Sequence, residues 1–399
     1  MTYFSILKDE IIKKKCNTFF FIKFAILSIN FMKNYTFLIA AGGTGGHLFP
    51  AISVVSELKK INPSFNFIFV GREDKIEGKV TKNLGYEFHH IEIEGLHSIF
   101  SVRNLLIPLK VFLSEYKIKR LIKKKRISAL IATGAYISFP PALAAHNANV
   151  PIYLMESNFN PGKTITLLSK YAEILFTSFP ETETFLHNKK IKKILYTGNP
   201  VREDFLSKKI DKYQARAAWG LKPDIPTLLV FGGSLGARVI NNAIKTNLDA
   251  IIKSGIQLIW QTGKDYPLYK DLDLPEQIKC VEFIDDMYTA YVAADLALCR
   301  SGASTLAELA VMAKPALLVP LIVAANNEQE YNARYFEKYG AAVVLNQETL
   351  HIGLLKKIND VLQNEHKLKE MEINIRRFAK PNAAKDIANA ILSDLENKN

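Results

Sequence analysis

Tyr35-Thr36-Phe37-Leu38-Ile39-Ala40-Ala41-Gly42-Gly43-Thr44-Gly45-Gly46-His47 is the stretch on which the reading of this chain turns. An apolar run of strand length enters a glycine-rich turn and leaves it as a helix. The pattern returns about one domain length later, in Thr227-Leu228-Leu229-Val230-Phe231-Gly232-Gly233-Ser234-Leu235-Gly236. Between and beyond the two copies, short Ile/Val/Leu/Phe runs alternate with helix-like segments. In the first half the runs are Tyr35–Ala40, Phe67–Val70, Phe88–Ile93, Ala129–Thr133, Pro151–Met155, Ile174–Thr177 and Ile194–Thr197. In the second half they are Thr227–Phe231, Gln257–Gln261, Cys280–Phe283, Asp295–Cys299, Ala316–Val319 and Ala342–Leu345. Runs that are apolar throughout, rather than alternating with polar residues, belong to parallel strands covered on both faces. The expected fold is α/β, with two Rossmann-like, doubly wound parallel-sheet domains facing a cleft and a junction at Gly198-Asn199-Pro200.

With 399 residues, 48% of them hydrophobic and 23% charged, the chain can build two cores; this excludes a disordered or collagen-like protein. Three scattered cysteines (Cys16, Cys280, Cys299) exclude a disulfide scaffold or a Cys-rich zinc module. The net charge of +13 favours polyanionic partners such as nucleic acid, anionic lipid or phosphorylated small molecules, unless it is only a solvated basic surface. Lys13, Lys14 and Lys15 precede an apolar run, Phe19 to Phe31, in the manner of a signal peptide. Lys23 interrupts the run, no small-x-small cleavage site follows, and a spanning helix needs about 18–20 apolar residues. Residues 1–33 are therefore set aside as an N-terminal extension, either weakly membrane-associating or upstream of a true start at Met32.

A glycine turn opening a helix lets backbone N–H groups approach a phosphate, and the helix dipole favours the anion. Steric demands of a tight turn produce the same glycines. The dinucleotide fingerprint fails, with Leu48 in its last place when started at Gly43. The P-loop fails too, with Ser157 where its first glycine belongs. Asp271-Leu272-Asp273 is a D-x-D in a polar stretch, read as surface loop before metal site. Arg300-Ser301-Gly302-Ala303-Ser304-Thr305-Leu306-Ala307-Glu308 offers a second anion site, with Ser301 or Ser304 as N-cap. There Glu308 is either a two-acceptor clamp for ribose hydroxyls or an ordinary first-turn carboxylate. Arg202 at the junction either neutralises a diphosphate or makes a structural salt bridge. Leu105, Leu106, Leu109, Phe112, Leu113 and Tyr116 recur at helical spacing before Lys117, Lys119, Arg120, Lys123, Lys124, Lys125 and Arg126. That combination suits an anionic membrane surface, or else a core-facing helix with a basic end. No RNA-binding signature or aromatic stacking platform interleaves the basic residues, so nucleic acid is not the expected partner.

The ordered set Gly42-Gly43-Thr44-Gly45-Gly46-His47, Gly134-Ala135-Tyr136-Ile137-Ser138, Glu156-Ser157-Asn158, Gly198-Asn199-Pro200-Val201-Arg202, Gly232-Gly233-Ser234-Leu235-Gly236-Ala237, Phe283-Ile284-Asp285-Asp286-Met287, Cys299-Arg300-Ser301-Gly302-Ala303 and Gln329 resembles the MurG family of bacterial glycosyltransferases. Leu235, Ala135 and Met155 stand where that family commonly has Gln, Gly and His.

The resemblance implies a GT-B architecture: an acceptor and membrane-side domain over 34–198, a UDP-GlcNAc-binding domain over 199–375, and a C-terminal helix, 376–399, packing back on the first domain. It implies inverting, metal-independent transfer of N-acetylglucosamine from UDP-GlcNAc to the 4-hydroxyl of the MurNAc-pentapeptide of lipid I. The product would be lipid II, for peptidoglycan synthesis and with it cell shape and division. No cofactor is expected, and the location implied is peripheral, on the cytoplasmic face of the inner membrane. Ile284 would meet uracil through its backbone and Glu308 the ribose. Ala303, Ser304 and Thr305, with Leu306 and Ala307 beside them, would lie at the diphosphate with Ser234 and Arg202. Gln329 would read sugar hydroxyls; Thr44, Gly45, Gly46 and Asn158 would line the acceptor side. His47 is the candidate base, against a role in orienting its loop, with Glu156 in reserve. Leu105, Leu106, Leu109, Phe112, Lys117, Arg120 and Lys123 would meet the membrane. The alternatives are another GT-B glycolipid synthase, a dinucleotide-binding oxidoreductase or nucleotide-sugar epimerase, and a membrane scaffold with a relic nucleotide site.

Overall fold

The computed structural model describes residues 34–93, 107–186, 190–233, 235–322 and 327–398. Residues 1–33, Leu105, Leu106 and Ser234, which the sequence singles out, lie outside the described residues. Strands β1 (Thr36–Ala40), β2 (Asn66–Gly71), β3 (Glu87–His90), β4 (Ala129–Ala132), β5 (Ile152–Glu156), β6 (Ile174–Thr177) and β7 (Ile194–Tyr196) form a parallel sheet in the order β3-β2-β1-β4-β5-β6-β7. Strands β8 (Thr227–Phe231), β9 (Gln257–Gln261), β10 (Ile278–Val281), β11 (Leu296–Cys299), β12 (Ala316–Leu318) and β13 (Ala342–Val344) form a second, in the order β10-β9-β8-β11-β12-β13. Both orders reverse direction beside their first strand, as in doubly wound sheets, where ligands bind at the C-terminal ends of the strands around that switch point.

The apolar runs read as strands because both faces of each sheet are covered. Successive residues of β1 divide between two cores: Phe37 and Ile39 enter one, Leu38 and Ala40 the other. In β8, Leu229 and Phe231 face one core while Leu228 and Val230 face its opposite. This is the period-2 alternation of a strand with no solvated side left. Two strands lie off the expected positions. β3 ends at His90, and β10 begins at Ile278 opposite Leu258. β10 is an edge strand held from one side only, and Phe283, the apolar residue expected to end it, is 52% exposed.

Val201, Phe205 and Ala215, just past the junction, already pack into a core of the second domain. The chain then returns. In helix Ala383–Asn397, Ile387, Ile391 and Leu395 enter the first domain's core with Phe37 and Phe69. Tyr153 donates to Asp394 at 2.8 Å, and Lys398 pairs with Glu173 and Asp394. The second domain is thus tethered to the first by two chain crossings.

Helix Ile107–Lys125 turns Ser114, Ile118, Leu121 and Ile122 to the core. The stripe that sequence periodicity offers as a core face points the other way. Leu109, Phe112, Leu113 and Tyr116 are each at least half exposed, and Lys117, Arg120 and Lys123 continue the same surface. Among the described residues no helix is long and apolar enough to cross a membrane.

Candidate active site

The C-terminal ends of β1, β4 and β5 face those of β8, β11 and β12 across the space between the domains, and five hydrogen bonds draw the facing turns together. Ser304 Oγ donates to the carbonyl of Gly46 at 3.2 Å and accepts from Asn199 Nδ2 at 3.2 Å. Ser157 Oγ donates to Asn199 Oδ1 at 3.0 Å. Asn332, fully buried on helix Glu328–Lys338, donates to Asn158 Oδ1 at 3.1 Å and accepts the N–H of Phe159 at 2.9 Å.

On the second domain, helix Ala303–Val311 starts behind Gly302, and no side chain caps it. This corrects the expected N-cap. Ser301 Oγ bonds the Gln329 carbonyl at 2.8 Å instead, and Ser304 reaches across to Gly46. An N-cap glycine leaves the first-turn N–H groups of Ala303, Ser304 and Thr305 uncapped, with the positive end of the helix dipole behind them. The Leu306 side chain is in the core and its N–H goes to Gly302 O. Ala307 packs against the same core.

Glu308 lies on the following turn, its side chain 17% exposed. Tyr291 donates to its Oε2 at 3.3 Å, and Arg202 Nε stands 3.7 Å from Oε1. Burial pushes its carboxyl up to about 7, partly offset by the Arg202 charge and the Tyr291 hydrogen bond. The Arg202 guanidinium lies 5.0 Å from the ring centre of Phe205 and 6.0 Å from that of Phe49, which holds it beside the helix start. Arg202 thus makes the ion pair of one sequence reading, with Glu308.

The second glycine turn owes its shape to Gly236, at φ +78, where a Cβ would stand 2.2 Å from the Thr262 carbonyl. Gln261 ties this turn to Ile284: its Nε2 donates to Gly233 O at 2.9 Å and its Oε1 accepts the Ile284 N–H at 3.0 Å. Gln329 is half-buried, and its Oε1 accepts the Leu321 N–H at 3.0 Å.

On the first domain, Thr44 precedes helix Gly45–Ile61, and its Oγ1 lies 3.0 Å from Nδ1 of His47. Burial lowers the imidazole pKa below its ordinary 6.5, so the ring is neutral at neutral pH. Gly45 and Gly46 form the first turn beside them. Glu156 ends β5 almost fully buried; one oxygen accepts the Asn158 N–H at 2.7 Å and the other the Gly162 N–H at 2.8 Å. Burial pushes its carboxyl up to about 7, the two backbone N–H groups pull it down, and Glu328 raises it further. With both oxygens engaged, Glu156 braces the loop that carries Asn158.

Asp271 and Asp273 sit in the loop before β10, at the edge of the sheet opposite the cleft. Among the described residues no three His, Cys, Asp or Glu side chains cluster closely enough to hold a metal ion. Asn332, Gln261 and Tyr291 escape a reading of the sequence. Each is a polar group spaced like a surface residue yet buried. The one trace is that Asn332 shares a helix face with Ala333 and Phe336, both of which are buried.

The glycosyltransferase family 28 N-terminal domain matches residues 37–177, and the glycosyltransferase family 28 C-terminal domain matches residues 227–389. The UDP-N-acetylglucosamine--N-acetylmuramyl-(pentapeptide) pyrophosphoryl-undecaprenol N-acetylglucosamine transferase of Christiangramia forsetii is 35% identical over 371 residues, 90% of this chain and 98% of that protein. The protein of the same name from Cytophaga hutchinsonii is 36% identical over 363 residues, 90% of this chain and 96% of that one. The crystal structure of Acinetobacter baumannii MurG is 27% identical, with a TM-score of 0.72, over 90% of this chain and 100% of that one.

Proposed function

Since the chain belongs to glycosyltransferase family 28 and, within it, to the MurG family, we propose that it transfers N-acetylglucosamine from UDP-GlcNAc to the 4-hydroxyl of the MurNAc-pentapeptide on lipid I. The product is lipid II. One observation carries the reading beyond kinship. The uncapped start of helix Ala303–Val311, flanked by Arg202 and Glu308, meets the His47 turn across a single hydrogen bond, Ser304 to Gly46.

In this reading UDP-GlcNAc lies on the second domain. Its ribose hydroxyls donate to Glu308, its diphosphate takes the N–H groups of Ala303, Ser304 and Thr305, and uracil meets the backbone at Ile284. The acceptor hydroxyl attacks the anomeric carbon from the first domain's side. The new C–O bond forms as the bond to the diphosphate breaks, UDP leaves with the electron pair, and an α-linked donor becomes a β-linked product. With the Nδ1–H of His47 donated to Thr44 Oγ1, Nε2 keeps its lone pair and takes the hydroxyl proton. Charge growing on the leaving diphosphate is absorbed by the helix N-terminus and Arg202. This gives the D-x-D no part, in keeping with its place at the opposite sheet edge.

The exposed stripe Leu109, Phe112, Leu113 and Tyr116, running into Lys117, Arg120 and Lys123, supports docking on the anionic cytoplasmic face of the membrane, where the acceptor's polyprenyl tail is held. At about 1 kcal/mol per basic residue near such a surface, changing Lys117, Arg120 and Lys123 together to Gln weakens vesicle binding roughly 10²-fold at low salt. Co-sedimentation with phosphatidylglycerol vesicles across a salt series measures this; unchanged, salt-insensitive binding counts against the patch.

The test of the activity is transfer of labelled N-acetylglucosamine from UDP onto a lipid I analogue, with and without chelator. Product in both supports the reading. UDP-sugar binding without product favours a relic scaffold, and a tightly held nicotinamide favours an oxidoreductase or epimerase.

A further inference from the structure

The first glycine turn has a carboxyl group built in beneath it. Glu77, on helix Ile76–Asn83, has no exposed surface. Its Oε2 accepts the N–H of Gly43 at 2.9 Å, and its Oε1 accepts the N–H of Arg72 at 3.1 Å. The two donors belong to the turns that follow β1 and β2, neighbouring strands of the sheet. Two glycines make room for this group: a Cβ on Gly42 would stand 2.5 Å from Glu77 Cδ, and one on Gly71 would stand 2.6 Å from Glu77 Cγ. Gly43 itself adopts φ +80, which turns its N–H inward. A buried carboxyl group is costly unless its oxygens are satisfied. Here both are, and by donors of the kind that a glycine turn ordinarily offers to a phosphate.

We propose that Glu77 is a positioning residue: it supplies that anion from inside the fold, locks Gly42, Gly43 and Thr44, and so sets Thr44 and His47 for the acceptor hydroxyl. The Gly43 N–H is then closed to the acceptor's own diphosphate, which must be held elsewhere. The inference rests on the reading of His47 as the group facing the acceptor.

Glu77→Gln is the test. Whichever way the amide is turned, its NH₂ faces one of the two N–H donors, so one bond becomes a repulsion. A misplacement of the order of 1 Å in a reacting group costs about 10²-fold, so kcat with the lipid I analogue falls by about that factor. UDP-GlcNAc affinity, measured by calorimetry, stays as in the wild type, because the donor residues lie on the other domain. A general loss of fold would lower both. Wild-type kcat in the variant overturns the proposal. A second arm needs no variant: in the wild-type protein the amides of Gly43 and Arg72 exchange with deuterium as slowly as those of β1. Fast exchange there overturns the proposal even if Glu77→Gln fails to fold. Absence of any transfer by the wild type would sink the acceptor reading instead, and the exchange result would still decide whether Glu77 holds the turn.

Discussion

His47→Ala lowers kcat by about 10²–10⁴-fold, the usual worth of a positioned general base, and leaves UDP-GlcNAc affinity where it was. The split follows from the fold. His47 sits on the turn after β1, whereas the contacts proposed for the donor, Ile284, Ala303, Ser304, Thr305 and Glu308, follow β10 and β11. Removing an interaction made only as the acceptor proton moves lowers kcat and kcat/KM together without touching ground-state donor binding. The pH profile carries a second signature. Burial holds the imidazole below its ordinary 6.5, so the ring stays neutral and able to accept a proton down to that limit. The acid limb of kcat therefore lies below 6.5 in the wild type and disappears in the variant. Single-turnover rates measured from acid to neutral pH check both points. Near-normal turnover would leave His47 as a residue that merely orients its loop through Thr44.

Glu308→Ala does the opposite, weakening the donor while leaving the base in place. Two ribose hydroxyls donating to one carboxylate are worth about 1.5–3 kcal/mol each, so UDP-GlcNAc affinity falls roughly 10²-fold or more. The pH dependence has a definite sign. Burial raises this carboxyl to about 7, so it gains a proton as pH falls through neutrality and loses acceptor capacity. Wild-type donor affinity accordingly rises with pH through that region. In Glu308→Gln the profile is flat, because an amide does not titrate and the sugar-linked diphosphate has no proton to lose there. Calorimetric titration of both proteins over that range decides it. A profile that persists in the variant would assign the titration to another group, with Glu156, also pushed up to about 7, the first to examine.

Most strands were legible because parallel strands buried on both faces are apolar along nearly their whole length, as in Thr36–Ala40 and Thr227–Phe231. Legibility failed where that constraint relaxes. At the edge strand β10, covered on one side, Phe283 reads as core and lies outside. In helix Ile107–Lys125 the exposed apolar stripe and the packed face both repeat at helical spacing, so periodicity alone does not choose between them. The motif residues His47, Glu156, Arg202, Glu308 and Gln329 could be named from the sequence because they stand at or after strand ends, in the motifs that carry the family resemblance. Their partners could not. Glu77 reads as one charge in a solvated helix, Ile76-Glu77-Gly78-Lys79, and only the need of Gly42 and Gly71 to lack a Cβ betrays it. The helix start at Gly302 was misread for a related reason: two serines nearby satisfy the N-cap pattern, but each is drawn to a partner distant in sequence.

In the proposed reading the donor lies between the domains with its diphosphate on an uncapped helix rather than on the first glycine turn. A crystal structure with UDP-GlcNAc tests it most directly. The expected electron density puts diphosphate oxygens on the N–H groups of Ala303, Ser304 and Thr305, the ribose on Glu308, and the anomeric carbon open toward His47. A donor seated on the Gly42–Gly46 turn, or with its ribose away from Glu308, would contradict it.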